Sequence, residues 1–124
     1  MAVRRPVYLN LFKIRLPLPG VVSIMHRASG ALLFLLLPLL LYGLQQSLAS
    51  EQGFAEVQGW FRQPLAKLAL LGVIWAYLHH FCMGLRHLAL DLHIGLDLAQ
   101  ARFSAKLVLV VSIAATLLIG IRLW

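Results

Sequence analysis

A chain of 124 residues that is 61% hydrophobic and 12% charged, with a mean hydropathy of +0.87, is too apolar for a soluble globular domain and falls in the membrane class. The single cysteine, Cys82, excludes an intrachain disulfide. A net charge of +7 would suggest a nucleic-acid partner in a soluble protein. Here Lys and Arg mostly flank apolar runs, which speaks for membrane orientation and against nucleic acid.

Residues 1–20 carry Arg4, Arg5, Lys13 and Arg15 together with Pro6, Pro17 and Pro19. The prolines predict an extended or broken segment at the membrane surface, with Tyr8, Leu11 and Phe12 dipping toward the interface. Helix formation is expected to start near residues 20–23. A first span is predicted over residues 21–48, with Pro38 as a kink inside an otherwise featureless leucine-rich centre. Ser47-Leu-Ala49 resembles a small-residue processing site. Cleavage there would discard Arg27, and two further spans follow, so the run is read as a retained span.

A polar loop is predicted over residues 49–63, with Glu51 and Glu56 against Arg62. The second span covers residues 64–91; because about 20 residues cross the hydrocarbon, its last turns reach the interface. A short loop then leads to a third span over residues 105–124, anchored by Trp124. The fold class is therefore all-α integral membrane, a single domain of three transmembrane helices. Three helices close poorly by themselves, which is compatible with half of a bundle completed by a partner.

Arg4, Arg5, Lys13, Arg15, Arg27, Arg86, Arg102 and Lys106 lie on one side of these spans, and Arg62, Lys67 and Arg122 on the other. The positive-inside rule then places the N-terminus in the cytoplasm and the C-terminus across the membrane. Two polar clusters lie toward the cytoplasmic side, at the same depth.

The second span ends in Tyr77-Leu-His-His-Phe-Cys-Met-Gly-Leu-Arg-His-Leu-Ala-Leu-Asp91. Ionisable groups inside a span are costly and mark function by default. At ~100° per residue, His80, Gly84, His87 and Asp91 share a face, with Tyr77 beside them. A neutral imidazole at bilayer depth is a candidate haem ligand, and a glycine one turn away leaves room for a flat macrocycle. His79 points ~100° away, toward Gly72, Met83 and Arg86, and geometry alone leaves His79 and His80 both open as the ligand. No spacing of His, Cys and carboxylates fits tetrahedral zinc.

The first span opens with Ser23-Ile-Met-His-Arg-Ala-Ser-Gly30, where Ser23, His26, Arg27 and Gly30 share a face. Arg27 has no carboxylate nearby in sequence, and its forked donors suit haem propionates or a quinone carbonyl. The bland alternative is that Arg27 snorkels to lipid phosphates while Ser23 caps the helix.

These two blocks, with Arg5-Pro-Val near the start and His80-Phe-Cys-Met-Gly-Leu-Arg-His87 followed by Asp91, resemble the cytochrome b556 subunits of succinate dehydrogenase. That family forms the larger haem-bearing membrane anchor of respiratory complex II, and the resemblance in spacing covers essentially the whole chain. It implies that His80 is the axial ligand of haem b and that His26 and Arg27 lie near the haem propionates. It also implies that Ser23 and Arg27 bind ubiquinone. The adjacent His79 is a departure from the family pattern.

The implied partners are a second small hydrophobic anchor supplying the other haem ligand, an iron–sulfur subunit and a flavoprotein subunit. The implied setting is the lipid of a bacterial inner membrane, with the C-terminus periplasmic. The implied activity is ubiquinone reduction by electrons from succinate, which this chain does not itself oxidise. Fumarate reduction is the near alternative. Outside the resemblance, a haem-free transporter or ion-path subunit using Arg27, His80, His87 and Asp91, or a purely structural anchor, would present the same ionisable residues.

Overall fold

In the computed structural model, which describes residue 10 and residues 12–124, the described chain is helical and contains no strand. The features expected of Arg4, Arg5, Pro6, Tyr8 and Leu11 lie outside the described residues. Helix α1 spans Leu18–Ala49, α2 Glu51–Trp60, α3 Pro64–Asp91 and α4 Leu98–Leu123. The first, third and fourth are long and apolar enough to cross a membrane.

α1 starts earlier than residues 20–23. Pro17 stands at its N-cap and Pro19 in the first turn, where a missing N–H costs nothing and the fixed φ suits helix. Pro38 sits inside α1 without ending it. The stretch expected as a polar loop is instead helical: Ser50 caps α2 by accepting a hydrogen bond from Gly53 N at 3.0 Å, and Glu51 occupies the positive first turn. Gly53 is buried, and a Cβ there would collide with the backbone carbonyl of Gln46, so α2 folds back tightly on the end of α1.

α4 starts seven residues before the predicted span, because residues 98–104 form helix readily but are too polar to register as hydrocarbon-crossing. Between α3 and α4 the chain turns at His93, a non-glycine residue at φ 62°. Ile94 N donates to Ala89 O at 2.9 Å and His93 N to Leu90 O at 2.9 Å. This is the Schellman arrangement that usually places glycine at the left-handed position.

α3 is the central helix, packed against both α1 and α4, which also touch each other. The interior is small: Val22 from α1, Met83 from α3, and Ala105 and Val108 from α4. Ser29, Ala76 and Ser112 are also buried, and such small residues let membrane helices approach closely. Arg86 is drawn toward α4. Its Nε donates to Ser104 Oγ at 2.9 Å and its Nη2 to Ala101 O at 3.2 Å, so a cation near the helix end is met by two acceptors. At the opposite end, Lys67 Nζ lies 5.1 Å from the Trp124 ring centroid, joining the start of α3 to the end of α4 through a cation–π contact.

Candidate functional site

The α1–α3 contact brings the two polar clusters together. His80 crosses to α1 and lies on its backbone: a Cβ placed on Gly30 would stand 2.8 Å from His80 Cε1. The absence of a side chain at Gly30 is therefore what admits the imidazole. His80 Nδ1 donates to the carbonyl oxygen of His26 at 3.1 Å and lies 3.3 Å from Ser29 Oγ. A carbonyl only accepts, so the proton resides on Nδ1 and the lone pair of the neutral ring on Nε2, the arrangement that histidine ligands to metals commonly use.

The His26 ring stacks on His80 with centroids 4.2 Å apart and planes 18° from parallel. His87 approaches the same His26 ring at 5.1 Å, tilted by 46°. Three imidazoles thus form a column, His26 in the middle. Only the His26–His80 pair is stacked, and among the described residues no group of three His, Cys, Asp or Glu could hold a metal ion. Any metal on this chain would draw most of its ligands from elsewhere, as from a porphyrin. Gly84, one turn beyond His80, faces open space: a Cβ there would meet nothing within 4 Å.

His79 lies in the opposite environment. It is fully buried in the interior of the chain, with Nε2 donating to Val22 O at 3.4 Å and its ring stacked on Trp75 at 5.3 Å between centroids. Its Nδ1 has no partner among the described residues. A macrocycle reaches that ring only if α1 and α3 separate, whereas His80 is half-buried and borders the open face at Gly84.

Ser23 is half-buried and Arg27 exposed, and among the described residues neither hydrogen-bonds within the chain. Both lie on α1 one turn apart. Ser23 sits five residues inside α1, so it is not a helix cap. Asp91 is exposed at the end of α3; Tyr77, also exposed, stacks on Phe81 at 6.4 Å. Sequence reasoning did not single out Ser29, although it belongs to the first motif. The signal was present: Ser29 stands three residues after His26, next to the glycine, on the flank of the polar face. The Arg86–Ser104 pairing carries no comparable signal, because the sequence alone predicts a loop at residue 104.

Residues 1–119 match the family described as succinate dehydrogenase/fumarate reductase transmembrane subunit. The chain is 38% identical to the succinate dehydrogenase cytochrome b556 subunit of Coxiella burnetii, covering 100% of each chain. It is 33% identical to that of Paracoccus denitrificans, over 92% of this chain and 88% of the relative. Identity to the Rickettsia felis subunit is 27%, over 95% and 92% respectively. With three membrane-length helices and this similarity along its whole length, the chain belongs to the succinate dehydrogenase/fumarate reductase transmembrane subunit family.

Proposed function

We propose that this chain is the haem b-binding membrane anchor of a succinate:ubiquinone oxidoreductase and forms part of its ubiquinone-reduction site. The observation that carries the reading is the state of His80. Its Nδ1 is engaged by the His26 carbonyl, its Nε2 lone pair is free for a metal, and the neighbouring face at Gly84 is open. These residues fit a haem: His80 would bind the iron, and His26 and Arg27 would stand near the propionates. When bound, haem b supplies a one-electron carrier inside the membrane. The relatives named above are succinate dehydrogenase subunits, which favours succinate oxidation over fumarate reduction as the direction served.

The residues of this chain bind and polarise the quinone. Ser23 Oγ–H donates to a quinone carbonyl. Arg27, exposed and without a hydrogen bond among the described residues, sets a permanent positive charge where that oxygen gains electron density. Removing a donor of this kind typically costs about 3 kcal/mol of transition-state stabilisation. The electrons originate at a flavoprotein subunit and arrive through an iron–sulfur subunit docked on the cytoplasmic face. A second small hydrophobic anchor supplies the other haem ligand. The chain forms one transmembrane domain of the bacterial inner membrane, N-terminus cytoplasmic and C-terminus periplasmic.

The test is Arg27→Ala in the assembled complex. Quinone reduction falls about a hundredfold or more, the kinetic equivalent of ~3 kcal/mol, while succinate-dependent reduction of a soluble dye is retained. Unchanged quinone turnover would remove Arg27 from the site.

A further inference from the structure

We propose that Ser29 and Gly30 of α1 are positioning residues that hold the plane of the His80 ring, and through it the ligand field of the bound haem. The inference rests on the reading of His80 as the ligand. It adds a pair of residues to those assigned above to the iron and the quinone.

An imidazole ligand has two freedoms that matter: which nitrogen carries the proton, and rotation about Cβ–Cγ. The His26 carbonyl determines the first. A single hydrogen bond at Nδ1 limits rotation about Cβ–Cγ only loosely, so the second freedom needs further contacts. Three are present. Ser29 Oγ lies 3.3 Å from the same Nδ1; the Cε1 edge lies against Gly30, 2.8 Å from where a Cβ would stand; and the His26 ring stacks on one face with centroids 4.2 Å apart.

The Ser29 hydroxyl is itself oriented. It donates to His26 O at 2.9 Å, so its oxygen is left to accept from Nδ1–H. Ser29 is only 4% exposed, and a buried hydroxyl is costly unless it is hydrogen-bonded. Its bond to the carbonyl three residues back would satisfy the donor by itself, a purely structural role. The two roles differ in what they predict, because outer-shell partners of a metal-bound histidine set its orientation and donor strength.

The experiment is the ferric low-spin electron paramagnetic resonance spectrum of the assembled complex, together with the rate of haem loss to a scavenger protein. Ser29→Thr keeps the hydroxyl and is expected to overlay the parent spectrum. Ser29→Ala keeps haem but shifts and broadens the largest g value and releases haem about three- to tenfold faster, the loss of one net hydrogen bond. Gly30→Ala, whose new methyl would stand 2.8 Å from His80 Cε1 and force the ring to shift, loses most of the low-spin signal. Ser29→Cys replaces the alanine variant if that complex does not assemble.

A Ser29→Ala complex with lowered yield but an unaltered spectrum and release rate per haem would overturn the proposal and leave Ser29 a structural residue. His80→Ala separates this failure from failure of the ligand reading. If His80→Ala keeps the parent low-spin signal, the ligand reading falls and the seat falls with it. If His80→Ala loses the signal while Ser29→Ala and Gly30→Ala match the parent, the seat alone is wrong.

Discussion

His79 and His80 are chemically identical neighbours, and a rotation of ~100° between them puts one in the dry interior and the other at an open edge. The fully buried ring packs against Val22 and Trp75; the half-buried one lies over Gly30 and Ser29. The same logic governs Arg86, whose charge is met by Ser104 and a backbone carbonyl rather than by a carboxylate. Hydrogen bonds to charged groups contribute about 1.5–3 kcal/mol. Ser104→Ala should therefore lower the thermal midpoint of the assembled complex, because it strands a charged donor. Combining it with Arg86→Leu should recover part of the loss, since removing both partners of a half-buried polar pair costs less than removing one. A double variant less stable than the sum of the two singles would show that Arg86 has a different principal partner.

At the scale of the element, the tight connections make the sharpest claims. His93 holds φ 62° at the C-terminus of α3, a conformation that costs a non-glycine residue roughly 1 kcal/mol. His93→Gly should raise the thermal midpoint, provided the Schellman bonds from His93 and Ile94 persist. A lowered midpoint would mean that the imidazole contributes more than the backbone strain costs. Gly53→Ala should do the reverse, forcing α2 away from the Gln46 carbonyl; proteolysis between α1 and α2 would report the opening.

Much at this scale was legible in the sequence. Hydropathy located the three long helices, and helical periodicity put Ser23, His26, Arg27 and Gly30 on one face and His80, Gly84 and His87 on another. It did not reveal α2. Yet Ser50 as a cap, Glu51 in the first turn, and Phe54, Val57 and Phe61 at helical spacing are a helix pattern hidden by low hydropathy. Nor did it give the true start of α4, since a hydropathy window finds the hydrocarbon and not the end of the helix. The choice between His79 and His80 was illegible for a deeper reason. Periodicity within one helix defines its faces but not which face a neighbouring helix covers.

For the whole molecule, the proportion of surface to core is decisive. Only 6% of the apolar window of α1 is buried, and 17% of that in α3 and α4. On the proposed reading, the imidazoles of His26 and His80 beside an open face at Gly84 are half of a site. The chain expressed by itself should insert in the membrane yet carry little haem; with the proposed second anchor subunit it should carry haem in full, as read by pyridine haemochrome content. Full loading of the isolated chain would contradict the shared-site reading.

The most direct measurement is the dithionite-reduced-minus-oxidised optical spectrum of membranes holding the assembled complex, recorded for the parent, His80→Ala and His79→Ala. The b-type α band should vanish or collapse in His80→Ala and persist in His79→Ala. A band that survives in His80→Ala and is lost in His79→Ala would contradict the account at its centre.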